Sequence, residues 1–186
     1  MAHFIIITGT NGVGKSTFGA KLQEQSKIPF INLDLFYKNK FGQYRQYTQE
    51  EIIEASKELN ALRENYFKNI QSFAMEKIIQ TPQSIENLLN QAKNHNFKTS
   101  LFYIGTSDTL ITSEKRINNR VAEGFHYVDP QTIQNNLKDV NDSFKNISLL
   151  FDNIVIYDNS KNYENAKRIL DIRDKKIYIA KETFFW

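Results

Sequence analysis

Gly9-Thr10-Asn11-Gly12-Val13-Gly14-Lys15-Ser16 is the stretch from which the rest of the chain can be read. It meets the spacing G-x-x-x-x-G-K-[ST] at every position, the pattern of a phosphate-binding loop. Phe4-Ile5-Ile6-Ile7 before it is short, apolar and β-branched, which predicts a buried strand. Thr17 to Gln25 after it predicts a helix with Phe18 and Leu22 on one face. A strand, a glycine loop and a helix, in that order, are what such a loop needs. The start of a helix leaves backbone N–H groups without partners, and its dipole favours negative charge there. Gly9, Gly12 and Gly14 carry no Cβ to keep the backbone from curling round a phosphate. Lys15 is placed to hold the β- and γ-phosphates, Ser16 to offer its hydroxyl to Mg²⁺, and Thr17 to reach the α-phosphate. Residues Gly9, Thr10, Asn11, Gly12, Val13, Gly14, Lys15, Ser16 and Thr17 are therefore the expected nucleotide site, for ATP with Mg²⁺.

The bulk properties narrow the class. A chain of 186 residues predicts one domain, 1–186, with a small lid. With 40% hydrophobic residues, 14 Phe and 9 Tyr, it has the material for a core. A net charge of +3 does not argue for a nucleic-acid surface, and the absence of cysteine excludes disulfides, thiolate metal sites and a cysteine nucleophile. The first residues run straight into a strand with no signal-like segment, and no apolar run approaches a membrane span. The expectation is a soluble, cytoplasmic protein without a nucleic-acid or membrane partner.

Along the chain, Ile28 to Asp34 predicts a second strand ending in an acid. Strand ends line the ligand crevice of a parallel α/β sheet, so Asp34 reads as a catalytic base or as an acid beside magnesium, with a helix N-cap as the plainer alternative. Residues 35–47 are aromatic and basic and are expected to be irregular, either covering an acceptor or packing as a loop with extended lysines. Thr48 and Glu51 form a capping box for a helix to about Lys68, with Ile52, Ala55, Leu59, Leu62 and Tyr66 as its apolar stripe. Gln71 to Lys77 predicts a strand. Glu76 at its end can hold a hydroxylic substrate and Lys77 a phosphate, or the two form a solvated pair. Thr81-Pro82 opens a helix buried through Ile85, Leu88, Leu89 and Ala92, with His95 as a cation at its end.

Thr99 to Gly105 predicts a central strand that does not end in an acid. From Ser107 or Asp108 to about Glu123 a helix carries Arg116 and Arg120 on one face, the arrangement of a lid over a transferring phosphoryl group, although surface ion pairs with Glu114 and Glu123 account for it too. After a turn at 124–130, a helix to about Leu150 buries Ile133, Leu137, Val140, Phe144 and Ile147. Asn153 to Asp158 is a strand whose final acid weakly matches the metal-associated acid of nucleotide hydrolases, with Asn159-Ser160 turning beside the nucleobase. Lys175 to Trp186 reads as a strand with an aromatic end. The fold class is thus α/β: a phosphate-loop kinase fold with a central, mostly parallel sheet, helices on both faces and a helical lid at about 106–128.

The order of these features resembles the zeta-toxin family of phosphate-loop kinases. The landmarks are the loop itself, Asn32-Leu33-Asp34, Phe73-Ala74-Met75-Glu76-Lys77, Arg116 to Val121, Gly124-Phe125-His126 and Asp158-Asn159-Ser160. They span about residues 3–160. The resemblance implies a kinase moving the γ-phosphate of ATP to a sugar hydroxyl of UDP-N-acetylglucosamine or a related UDP-amino-sugar. It implies Asp34 as the base, Asp34 and Glu76 as acceptor contacts, and Lys15, Arg116 and Arg120 on the phosphates. Some members of that family are toxins silenced by a small helical antitoxin, and others act alone. Four positions depart from its pattern: Lys77 replaces Thr, Phe125 replaces Gly, and Asn135-Asn136 replaces a pair of arginines. Lys138 is the cation nearest to that gap, a point charge without a guanidinium fork. The alternatives from other classes are a nucleotide-binding regulator with little catalysis and a kinase for a different small hydroxylic acceptor.

Overall fold

The computed structural model describes residues 1–42, 45–122, 128–161 and 166–180. The turn at 124–127, the side chain of Arg120 and the chain end at 181–186 lie outside the described residues, so the lid expected at 106–128 is described only in part. The order is β1 (His3–Thr8), α1 (Lys15–Ser26), β2 (Phe30–Ile31), α2 (Leu33–Phe41), α3 (Gln49–Lys68), β3 (Phe73–Glu76), α4 (Gln83–Asn94), β4 (Lys98–Gly105), α5 (Thr109–Ala122), α6 (Pro130–Ser148), β5 (Asn153–Asp158), β6 (Lys167–Arg173) and β7 (Lys176–Ala180). One seven-stranded sheet joins them in the order β2-β3-β1-β4-β5-β6-β7. Pairings among β1 to β5 are parallel, and β6 and β7 are added antiparallel at one edge.

β1 lies near the middle because it is apolar on both faces, as a strand covered by helices on both sides must be. Phe4 and Ile6 face a core built with Phe67, Phe73, Phe97, Ile85, Leu89 and Ile147, so α3, α4 and α6 cover that side. The Phe4 ring lies 5.5 Å from Phe67 and 4.8 Å from Phe73, centroid to centroid. Ile5 and Ile7 face the other side, against Phe18 and Leu22 of α1. The capping box of α3 forms as expected, with Glu51 N–H donating to Thr48 Oγ1 at 3.3 Å and Thr48 N–H to Glu51 Oε2 at 2.9 Å. Among the described residues no helix is long and apolar enough to cross a membrane.

Two elements differ from the sequence expectation. β2 stops at Ile31 rather than reaching Asp34, because the Asn32 side chain accepts the Leu35 N–H at 2.7 Å and turns the chain into α2. Of the residues 35–47 expected to be irregular, 35–41 are therefore helical, and Gly42 ends the helix at φ 83° with its N–H on the Lys38 carbonyl. Asp34 sits in the first turn and Lys38 and Lys40 in the last, each where the helix dipole favours it. The second difference is β6, a strand not anticipated in the sequence. It is joined to β7 by Asp174 and Lys175, both left-handed at φ 48° and 64°, a twist that suits a tight hairpin.

Candidate active site

The parallel strands bring their carboxyl ends to one edge. Ile7 pairs with Glu76, Thr8 with Tyr103, and Gly105 with Asp158, so the loop after β1 meets the ends of β3, β4 and β5 there. Gly9, Gly12 and Gly14 have φ of 137°, 76° and 96°, conformations that side chains rarely adopt. A Cβ at Gly9 would lie 2.2 Å from the Ile104 carbonyl oxygen, and one at Gly12 2.8 Å from the Ser113 Cα. The loop is thus seated on β4 from below and against α5 from the side. α1 begins at Lys15, which points the first N–H groups of the helix into the loop.

Lys15 is 5% exposed; its ammonium donates to the Thr10 carbonyl at 2.7 Å and lies 3.6 Å from Glu76 Oε1. Ser16 Oγ donates to Glu76 Oε2 at 2.8 Å. Asn32 Nδ2 donates to the same carboxylate oxygen at 2.5 Å and lies 3.2 Å from Ser16 Oγ. The acid beside the loop is therefore Glu76, at the end of the strand adjacent to β1. Asp158, the weak match in the sequence, instead accepts the Ser160 N–H at 2.9 Å and its hydroxyl and closes a turn.

Arg116 on α5 lies across the loop. Its Nη1 donates to the Val13 carbonyl at 3.3 Å and to that of Gly12 at 3.5 Å, and its Nη2 to the Asn159 carbonyl at 2.8 Å. Burial lowers the pKa of this guanidinium from its ordinary value. Asn159 adds a second tie, donating its Nδ2 to the Val13 carbonyl at 2.7 Å, while Ser160 Oγ accepts the Ser107 N–H at 2.8 Å. Ser113, fully buried against Gly12, has a hydroxyl with no partner among the described residues.

Of the residues named from the sequence, the structure brings Lys15, Ser16 and Glu76 into contact and lays Arg116 on the loop. Asp34 is exposed, as the second residue of α2, and is not among the residues brought into contact with the loop. Thr17 is exposed on α1, Lys77 is half-buried with its N–H on the Ile7 carbonyl, and Lys138 is exposed on α6. Asn136 does not point to solvent. It is 9% exposed, and its Nδ2 donates to Asn11 Oδ1 at 2.7 Å. Its position gave a signal that spacing arguments passed over: a carboxamide set between the buried Ile133 and Val140 on one helix face.

A parallel sheet with the glycine loop at the carboxyl end of a central strand, and helices on both faces, defines a phosphate-loop domain of the kinase-like type. The sequence matches the family model described as AAA domain over residues 4–147. The chain belongs to that AAA domain family. Among curated proteins none matches the chain. Solved structures share the fold at low identity. The AvrRxo1-ORF1:-ORF2 structure with ATP gives a TM-score of 0.73 at 15% identity, covering 96% of this chain and 60% of that one. The PezAT chromosomal toxin–antitoxin system of Streptococcus pneumoniae gives 0.65 at 19%, over 91% of this chain and 72% of the other. A gluconokinase from Sinorhizobium meliloti 1021 gives 0.52 at 15%, over 87% and 84%.

Proposed function

We propose that the chain is an ATP-dependent kinase of zeta-toxin type, transferring the γ-phosphate to a sugar hydroxyl of a UDP-N-acetylglucosamine-like acceptor. The observation that carries it is the contact of Lys15 and Ser16 with Glu76 under a loop crossed by Arg116. The fold matches to an ATP-containing structure and to a gluconokinase support the reading.

The loop N–H groups and Lys15 hold the β- and γ-phosphates. Arg116, with Arg120 one turn on, draws charge from the moving group once its bonds to the loop carbonyls are exchanged for phosphate oxygens. Asp34 accepts the proton of the acceptor hydroxyl as the new oxygen–phosphorus bond forms and the bond to the β-phosphate oxygen breaks, leaving ADP. Ser16 and Glu76 offer oxygen donors that suit a hard divalent cation, Ser16 directly and Glu76 through its bond to Ser16. Ser16 and Glu76 would hold Mg²⁺, which would supply charge neutralisation at the phosphates. The PezAT likeness supports a small antitoxin as partner.

The test is turnover of ATP and Mg²⁺ by the purified protein with and without UDP-N-acetylglucosamine, reading products by mass. A phosphorylated UDP-sugar, lost in Asp34→Asn while ATP binding persists, is the expected result. ADP without a phosphorylated sugar moves the reading to another acceptor, and ATP binding with no ADP moves it to the regulator.

A further inference from the structure

The phosphate loop is held from α6 as well as from its own strand and helix. Thr10 Oγ1 donates to the Ile133 carbonyl at 3.4 Å. One turn later, Asn136 Nδ2 donates to Asn11 Oδ1 at 2.7 Å, and Asn136 Oδ1 accepts from Gln80 Nε2 at 2.9 Å. Gln80 lies four residues beyond Glu76, and its carbonyl accepts the Ser143 hydroxyl, again from α6. Both ends of the Asn136 carboxamide are thus used, within a stripe otherwise formed by Ile133, Val140 and Ile147.

A leucine would fill that place in the stripe at less cost to folding, because a buried amide must find partners for both its ends. The loop, by contrast, needs an external hold. Its three left-handed glycines have more freedom to lose than any other residues when the loop takes one shape. We propose that Asn136 is a positioning residue for nucleotide binding. Oriented by Gln80, it fixes Asn11 and with it the first turn of the phosphate loop in the shape that receives a triphosphate. This rests on the reading of residues 9–16 as an ATP site.

The experiment titrates a fluorescent ATP analogue with Mg²⁺ into the wild type, Asn11→Ala, Asn136→Ala, Gln80→Ala and the double variant Asn11→Ala with Asn136→Ala, with chemical denaturation of each. Asn11→Ala and Asn136→Ala each weaken binding about threefold to tenfold, the range of one lost hydrogen bond, and the double variant is no weaker than the worse single. Gln80→Ala, at an exposed residue one step removed from the loop, weakens binding about twofold to fivefold through loss of orientation alone. Asn136→Leu restores the volume where Asn136→Ala destabilises, and it shows the same binding loss. Folded variants with wild-type affinity and only a shifted denaturation midpoint would overturn the proposal, as would additive losses in the double variant. Wild-type protein that binds no ATP analogue overturns the reading of the loop, and this inference with it.

Discussion

Gly12 and Gly19 separate two ways in which a missing Cβ matters. At Gly12 an added Cβ meets the Ser113 Cα at 2.8 Å and the backbone already has φ 76°, so the helix α5 itself must yield. At Gly19 the nearest atoms to the added one belong to the Phe30 ring, 2.1 Å away at Cζ, and that side chain is half-buried and can yield by rotating. Gly12→Ala is expected to cost about 1–3 kcal/mol and to remove ATP binding, while Gly19→Ala costs toward the lower end of that range and leaves binding intact. Denaturation and nucleotide titration of the two variants side by side check the contrast. Arg116 gives the second prediction at this scale. Arg116→Ala lowers the rate of ADP formation about a hundredfold, and Arg116→Lys recovers part of it, because a point charge cannot bridge Val13 and Asn159 together. The loop and its lysine were legible in the sequence because their chemistry lies in eight consecutive residues. The contacts of Glu76 with Ser16, and of Asn136 with Asn11, join residues 60 and 125 positions apart, and no local pattern encodes such a meeting.

At the scale of elements, α2 and the β6–β7 hairpin show why some of the fold was not legible. Leu33 to Phe41 carries no clean apolar face, and none of its residues is buried, so helical periodicity was silent; the helix is set by its ends, Asn32 and Gly42. Asn32→Ala removes both the cap and the bond to Glu76 and should cost about 2–4 kcal/mol, measurable by denaturation. β6 hid for a different reason: an acid stands at its only fully buried position. Asp171 is 0% exposed, with Arg173 Nη2 at 2.7 Å and Arg168 Nη1 at 2.9 Å. Arg173 first, with Arg168, holds its carboxyl below the usual aspartate range against the opposing effect of burial. A carboxyl whose folded pKa lies below its unfolded value contributes stability above the unfolded pKa, about 4, and loses it as pH falls through the folded one. Asp171→Asn should therefore be less stable than the wild type near pH 7 by about 2 kcal/mol, the strength of hydrogen bonds to a charged group. The difference should shrink on acidification below about pH 4. Denaturation midpoints of both proteins across that range test the sign.

For the molecule as a whole, the parallel core and its covering helices followed from alternating apolar strands and striped helices, but strand order did not, since it depends on which distant segments pair. That order matters for energetics. β1 is hydrogen-bonded to β3 and β4, its side chains reach both cores, and the phosphate loop hangs from its end. Around that loop α5, α6 and the Asn159 turn converge. A triphosphate seated there would rest on a loop tied to α5, α6 and the Asn159 turn, and a site assembled from such distant segments vanishes on unfolding. Ligand that binds only the folded state adds about 2.7 kcal/mol of stability at one hundred times its Kd, or about 5–10 °C in Tm for a domain of this size. ATP with Mg²⁺ is expected to raise Tm by that amount in the wild type and to leave Lys15→Ala unmoved, since that variant loses the cation buried between Thr10 and Glu76. Removing Mg²⁺ with a chelator should reduce the wild-type shift, because Ser16 then presents only a hydroxyl already bonded to Glu76. Thermal scans of both proteins with and without ATP and Mg²⁺, and of the wild type with ATP and chelator, decide it. An equal rise in Lys15→Ala would mean that the triphosphate sits elsewhere on the molecule.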